Sequence, residues 1–257
     1  MIYASSRCEK AQDYCAAFAA IEKSSGETLW GRPAMGRFEA YVDRIDVGQM
    51  QGILDLHQSN PGTRLHLHIG HELNLANVHH GGNDVAMEKI IEVSRAIGAN
   101  IISVRPGFAR HLSLDDVIDR ARMISGYAGI PVLIEGMYPA RGSEIHVGAW
   151  SEYQALLESG VGYSLNMAHI DILTARDGLE STLLDRLVAG AALIRVSGAD
   201  GTYPSRMMLA EAPWWMPFLK EVKAPVFTDA DWHGAYALRT VDAIDILEDE
   251  SRLRMAI

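Results

Sequence analysis

Ionisable side chains recur in this sequence near the ends of short apolar segments. Glu135, Arg195 and Asp229 each follow alternating apolar residues, and a polar loop comes directly after each segment. Carboxylates of this kind act as general acids or bases, and the guanidinium group of arginine binds carboxylate, phosphate or enolate groups in a bidentate manner. If folding brings these side chains together, they form a site for a small polyhydroxylated or acidic molecule.

A second group of candidate residues lies in the histidine-rich segment LHIGHELNLANVHH, residues 67–80. Imidazole and carboxylate ligands suit zinc, manganese or iron, so His68 and His71 are candidate metal ligands. Histidines in loops are often ordinary surface residues. For this reason we expect His79 and His80 not to be ligands.

Short apolar segments alternate with segments of helical periodicity along the chain. Eight strands are predicted: Met1–Ser5, Arg37–Tyr41, Arg64–Ile69, Asn100–Arg105, Pro131–Glu135, Tyr163–Asn166, Ala192–Ser197 and Pro225–Asp229. The predicted helices include Asp84–Ile97, Leu114–Ser125, Ser151–Ser159, Gly178–Ala189 and Val241–Met255. Strands and helices that alternate in this way predict a (β/α)₈ TIM barrel, with residues 1–257 as a single domain.

Alternation within each predicted strand indicates which side chains face the barrel interior. In Arg64–Ile69 the apolar residues share one face and should pack against the helices, which turns His66 and His68 inward. The same rule turns these residues inward in the other strands: Glu39, Tyr41, Ser103, Arg105, Glu135, Ser164, Asn166, Arg195, Ser197 and Asp229. Catalytic residues of such barrels lie at the C-terminal ends of the strands, so we predict the site there.

Five of these segments occur in an order that is similar to a known family. They are IISVRPG (101–107), VLIEGMY (132–138), SLNMAHI (164–170), IRVSGADG (194–201) and PVFTDADWHG (225–234). Together they resemble the xylose isomerase-like TIM barrel superfamily over roughly residues 64–234. That superfamily includes sugar and keto-acid isomerases and epimerases, dehydratases and endonuclease IV-type enzymes.

The resemblance implies a divalent metal (Zn, Mn or Fe) held at the ends of strands five to eight. Glu135 matches the first ligand of that set, and Asp229 matches the last. Asn166 stands where an aspartate is expected, and Arg195 stands where a histidine is expected. Arginine stays protonated and cannot coordinate a cation, so two of the implied ligands are weakened or lost. The resemblance also implies that His169 contacts the substrate.

One interpretation of these departures is that arginine replaces the metal. Arg105 and Arg195 then supply the positive charge that binds an anionic substrate or enolate. Glu135 or Asp229 acts as the general base, and His169 relays the proton. This interpretation predicts a sugar or keto-acid isomerase or epimerase that abstracts a proton next to a carbonyl group. Further predicted substrate contacts are His68, Asn166 and His233.

Two other interpretations stay open. If a metal is bound instead by His68 and His71, with Glu135 and Asp229, the chain is a lyase, a dehydratase or a metal-dependent oxidase. If the lost metal ligands mean that catalysis is lost as well, the barrel binds a ligand without catalysing a reaction. In either case the inward charges could simply pair with one another in an internal network of salt bridges, for example Glu135 with Arg105 or Arg195.

Composition restricts the classes of partner. The formal charge of −10, without a basic run, disfavours nucleic acid as a partner. No apolar run reaches the roughly 18–20 residues that a membrane span requires, so no membrane partner is predicted. The two cysteines, Cys8 and Cys15, suit a reducing compartment. The sequence therefore predicts a cytoplasmic enzyme of carbohydrate metabolism, with a homodimer as the commonest oligomer.

Overall fold

The computed structural model describes residues 2–6, 14–25, 36–42, 45–70, 73–77, 83–139, 144–199, 204–205, 213–220 and 222–228 of the chain. Eight parallel strands in this part of the chain close into a barrel in the order β1-β8-β7-β6-β5-β4-β3-β2. They are β1 (Ile2–Ser5), β2 (Arg37–Val42), β3 (Arg64–Ile69), β4 (Ile101–Val104), β5 (Val132–Glu135), β6 (Tyr163–Asn166), β7 (Leu193–Val196) and β8 (Val226–Thr228). The predicted TIM barrel is therefore confirmed.

Seven α-helices occur in the described part of the chain. They are α1 (Tyr14–Ser25), α2 (Val47–Ser59), α3 (Asn83–Ala96), α4 (Leu114–Ala128), α5 (Trp150–Ser159), α6 (Met167–Asp177) and α7 (Ser181–Gly190). A 3₁₀ helix (Met216–Leu219) precedes β8, and a two-stranded antiparallel ladder (Gly198–Ala199 with Pro204–Ser205) follows β7. No helix among the described residues is long and apolar enough to cross a membrane.

The observed strands lie within one residue of the predicted ones at each end. Helix α6 was not predicted, because it begins at the residue directly after β6 and no loop separates the two patterns. The predicted helix Val241–Met255 lies outside the described residues, so the extent of the domain to residue 257 stays a prediction.

Capping residues mark the start of α4 and the ends of α3 and α4. Ser113 caps α4 by accepting a hydrogen bond from the backbone N–H of Asp116 at 3.2 Å. Gly129 ends the same helix with a φ of 67°. Gly98, two residues after the end of α3, has a φ of 59°. Glycine adopts this left-handed conformation without the steric penalty of a Cβ atom.

The barrel interior is apolar at the N-terminal end of the strands and polar above it. Leu133, Leu193 and Phe227 form a small buried cluster there, against which Tyr3 and Ile101 pack. Two residues further along, β4, β5 and β7 turn polar or charged side chains into the same interior. The fold therefore concentrates polar groups in the C-terminal half of the barrel.

Candidate functional site

Arg195 of β7 lies at the centre of the polar interior and has no exposed surface. Its Nε donates to the two carboxylate oxygens of Glu39 at 3.1 and 3.0 Å, and its Nη2 donates to Oε2 of Glu39 at 2.6 Å. Its Nη1 lies 3.4 Å from Oγ of Ser103 and 3.2 Å from Oγ of Ser164. One guanidinium group therefore joins strands β2, β4, β6 and β7.

Glu135, the last residue of β5, is 1% exposed and joins the same cluster. Its Oε2 lies 3.2 Å from Nε2 of His68 and 3.5 Å from Nε of Arg105, and its Oε1 lies 3.9 Å from Nη1 of Arg195. Nδ1 of His68 lies 3.5 Å from Oε1 of Glu39, so His68 stands between the two carboxylates. We call these five residues the interior ion network.

The interior ion network keeps both carboxylates ionised. Burial raises the pKa of the Glu39 carboxyl, but attraction by Arg195 and His68 outweighs burial and holds this pKa well below its ordinary value of 4.5. Burial also raises the pKa of Glu135, and attraction by His68, Arg105 and Arg195 lowers it well below 4.5. Because both pKa values are lowered, the carboxylates stabilise the fold above about pH 4.5, and this stabilisation is lost as the pH falls further.

His169 lies at the C-terminal end of the barrel, in the first turn of α6. The helix begins there because Oδ1 of Asn166 accepts a hydrogen bond from the backbone N–H of Ala168 at 3.1 Å. Nδ1 of His169 lies 2.7 Å from the carbonyl oxygen of Gly136, the residue that follows Glu135. A carbonyl oxygen only accepts, so Nδ1 carries the proton and the lone pair of the neutral ring is on Nε2.

Arg105 is the member of the interior ion network that reaches solvent, with 26% of its side chain exposed. The neighbouring segment 73–77 fixes its backbone: the N–H of Leu75 donates to the Arg105 carbonyl at 2.9 Å, and the N–H of Ala76 donates to the Pro106 carbonyl at 3.0 Å. Nε of Arg105 is buried and has no hydrogen-bond partner among the described residues. Because Nε faces Oε2 of Glu135 at 3.5 Å, it is the exposed part of the side chain that can bind an anion at the barrel mouth.

The structure brings together four of the predicted site residues in the interior: His68, Arg105, Glu135 and Arg195. It places Asn166 and His169 at the nearby junction of β6 and α6. Three predicted residues lie outside the described part of the chain, and their roles stay predictions: His71, Asp229 and His233.

Three of the predicted substrate contacts are enclosed by protein. Arg195 and His68 have no exposed surface, and their polar atoms face other members of the interior ion network. Asn166 is 3% exposed and uses its side-chain oxygen to cap α6. The internal salt-bridge network, which the sequence left open as an alternative, is thus present.

Glu39 is the central residue that the sequence-based site did not include. The signal was available, because Phe38, Ala40 and Val42 alternate with it and form the outward apolar face of β2. Ser103 and Ser164 were predicted to face inward, but nothing in the sequence indicated that they accept hydrogen bonds from Arg195.

The described residues do not fit the divalent metal that the family resemblance implies at this centre. The guanidinium group of Arg195 lies between Glu39 and Glu135, and it excludes a second cation by repulsion and by volume. The side-chain oxygen of Asn166 is used by the backbone of α6. Within the described ranges, no set of three or more His, Cys, Asp or Glu side chains is placed to hold a metal ion.

His66 is a second buried histidine of β3, and it is 1% exposed. Its ring lies 5.1 Å from that of Phe227, and neither ring nitrogen has a hydrogen-bond partner among the described residues. Burial lowers the pKa of His66 from 6.5 to about 4, and the attraction of Glu39 does not offset this effect. Between pH 6.5 and about pH 4, His66 is therefore neutral in the folded protein but protonated in the unfolded chain.

This lowered pKa predicts a loss of stability in mild acid. Stability from His66 is present above pH 6.5 and declines towards pH 4, by about 3 kcal/mol over the whole interval. We expect His66→Leu to remove this part of the pH dependence, whereas the same change at the exposed His111 should not. Urea unfolding between pH 7 and pH 4.5 measures the difference, and parallel curves for wild type and His66→Leu would contradict it.

No protein-family profile matches the chain, and no curated protein sequence matches it. Solved structures do share its fold. Endonuclease IV from Thermus thermophilus has a TM-score of 0.60 and 16% identity, covering 97% of this chain and 98% of that chain. D-allulose 3-epimerase from Methylomonas sp. has a TM-score of 0.63 and 14% identity, covering 98% and 96%. An L-ribulose 3-epimerase has a TM-score of 0.63 and 11% identity, covering 98% and 97%. The chain therefore shares its fold with endonuclease IV and with sugar 3-epimerases of known structure.

Proposed function

We propose that this chain is an isomerase or epimerase that moves a proton next to a carbonyl group in a small sugar or keto acid. The observation that supports this most is the position of His169, whose Nδ1 lies 2.7 Å from the carbonyl oxygen of Gly136, the residue that follows Glu135. Arg105 provides a partly exposed guanidinium group next to the same carboxylate. The fold shared with D-allulose and L-ribulose 3-epimerases is consistent with the proposal.

The proposed roles follow from the contacts. Nε2 of His169 removes the proton from the carbon next to the carbonyl, and the electron pair moves to the carbonyl oxygen to form an enediolate. Arg105 binds this negative oxygen or a carboxylate of the substrate. Return of the proton to the other face of the same carbon gives an epimer, and return to the neighbouring carbon gives an isomer. No oxidant or reductant is required.

Glu135 has an electrostatic role in this proposal. Its lowered pKa makes it a weak proton acceptor, so we assign the first proton transfer to His169 rather than to Glu135. Its carboxylate instead holds Arg105 at the barrel mouth, at 3.5 Å. Asp229, which follows Thr228 in the sequence, is proposed as the second acid or base, and His233 as a substrate contact.

Exchange of substrate hydrogen with solvent tests this function. In D₂O we expect the wild-type protein to place deuterium next to the carbonyl group of at least one member of a panel of ketoses and keto acids, including D-allulose and L-ribulose. His169→Asn should slow this exchange by about 100-fold or more, since general acid–base catalysis contributes at least that much. His111→Asn is the matched control, because His111 is exposed.

NMR spectroscopy of the panel, with and without a chelator, measures the exchange rates. Exchange in the wild type that His169→Asn leaves unchanged would show that another group moves the proton. The absence of exchange with every member of the panel would contradict the proposed reaction class.

Burial of most of the interior ion network favours a second candidate function, a barrel that binds a ligand without catalysing a reaction. Glu39 contacts both Arg195 and His68, and none of the three has exposed surface. In that case sugar acids should raise the melting temperature of the protein without any exchange of hydrogen. A lyase, dehydratase or oxidase activity depends on His71, which lies outside the described residues.

A small molecule is the proposed partner. The likeness to endonuclease IV brings nucleic acid into consideration. A net charge of −10 opposes binding to a phosphate backbone, however, because such binding depends on lysine and arginine. A cytoplasmic location and a homodimer stay predictions from the sequence.

A further inference from the structure

The contacts of Arg195 differ from those of an ordinary salt bridge. Its guanidinium group donates to four oxygen atoms, two from Glu39 and one each from Ser103 and Ser164, and it faces Glu135 at 3.9 Å. All of these side chains are buried. A single cation therefore fills the centre of the barrel and contacts four other strands.

We propose that Arg195 is the built-in cation of this barrel: it lies between the carboxylates of β2 and β5 and makes a divalent metal ion at the ends of strands five to eight unnecessary. The site then assembles without a metal. This inference goes beyond the proposed reaction and does not depend on it, because it concerns how the interior is held together.

The charges of the interior support the proposal. Glu39 and Glu135 contribute two negative charges, and Arg195 with Arg105 contributes two positive charges. Without Arg195, the two buried carboxylates would retain, among the described residues, only Arg105, which is partly exposed, and His68. A buried charge that loses its partner destabilises a protein strongly.

The geometry of the donors also separates a guanidinium group from a metal ion. A planar fork reaches both oxygens of one carboxylate and two hydroxyl groups at hydrogen-bond distances, as observed for Arg195. A divalent ion instead requires several ligands at about 2.0–2.2 Å from one point.

Cation rescue tests the proposal. Arg195→Ala should lower the melting temperature by roughly 10 °C or more. N-ethylguanidinium, added at millimolar concentration during refolding, should restore part of this loss, whereas an uncharged analogue such as N-ethylurea should not. Arg120→Ala is the matched control, because Arg120 donates from outside the interior to the Leu75 carbonyl at 2.8 Å. We expect no rescue of that variant by N-ethylguanidinium.

A second variant and a metal analysis cover the case in which Arg195→Ala does not refold. Arg195→Lys keeps the positive charge but loses the planar, bidentate guanidinium group. It should fold with a melting temperature below that of the wild type. A lysine variant that also fails to fold, while Arg195→Met folds, would overturn the proposal. So would a folded Arg195→Ala that N-ethylguanidinium does not stabilise.

Metal content gives the third result. Wild-type protein purified without chelator should hold no divalent ion that depends on Glu135. A stoichiometric ion that is lost in Glu135→Gln would overturn the proposal. These measurements follow folding and metal binding rather than turnover, so their outcome is independent of the proposed isomerase activity.

Discussion

Replacement of Glu39 by glutamine is expected to lower the free energy of unfolding by about 3–5 kcal/mol. Glutamine has nearly the same shape as glutamate, so the change removes a charge without leaving a cavity. The guanidinium group of Arg195 would then stay buried without the carboxylate that now accepts its three shortest hydrogen bonds, at 2.6 to 3.1 Å. Urea unfolding at pH 7 measures the effect.

Glu158→Gln provides the matched control for this prediction. Glu158 is exposed and accepts a hydrogen bond from Gln154 at 2.8 Å, so its replacement should change stability by no more than about 0.5 kcal/mol. The double variant Glu39→Gln, Arg195→Met should recover part of the loss, because it leaves no unpaired guanidinium group. Equal stability of Glu39→Gln and Glu158→Gln would contradict a stabilising role for the buried pair.

Replacement of Gly107 by alanine is expected to destabilise the protein by about 2–4 kcal/mol. Gly107 has a φ of 95°, and a Cβ atom there would lie 2.3 Å from Oδ1 of Asn74 and 2.6 Å from Cβ of Ala76. Both neighbours belong to the segment that fixes the backbone of Arg105. The substitution should therefore also displace Arg105 and weaken binding of anionic ligands.

Gly98→Ala separates the two causes of the loss expected for Gly107→Ala, which are backbone strain at a positive φ and the steric clash of the added Cβ atom. Gly98 also has a positive φ, 59°, but a Cβ atom there would meet no atom within 4 Å. Its replacement should cost only the backbone strain, about 1 kcal/mol. Thermal and urea unfolding of the two variants give the difference. Equal losses would show that the segment around Asn74 moves aside without resistance.

The strands were predictable because each carries its own alternation. In β3, Leu65, Leu67 and Ile69 are buried against the surrounding helices, and His66 and His68 point into the barrel, as the pattern indicates. Such a signal is local, so it identifies the strand and its inward face. The closure into a barrel follows from the number and spacing of these units.

The pairing inside the barrel was not predictable from the same signal. Glu39 and Arg195 lie 156 positions apart in the sequence, and alternation shows only that both face inward. Which inward charges meet depends on the register between strands that are not neighbours in sequence. This is why Arg195 was predicted to contact a substrate, whereas the structure encloses it among Glu39, Ser103 and Ser164.

The start of α6 illustrates a second limit. Asn166 ends β6 and caps α6 with the same residue, so the strand pattern passes into the helix pattern without a loop. Sequence similarity indicated a ligand position at Asn166, but the local structure uses its oxygen for Ala168. A polar residue at a strand end can thus serve the backbone instead of the site.

Anomalous diffraction from crystals grown with manganese(II) tests the central claim most directly. We predict electron density for the guanidinium group of Arg195 between the carboxylates of Glu39 and Glu135, with no anomalous peak at that position. An anomalous peak between these carboxylates, with the Arg195 side chain turned away, would contradict the assignment of arginine as the cation of this barrel.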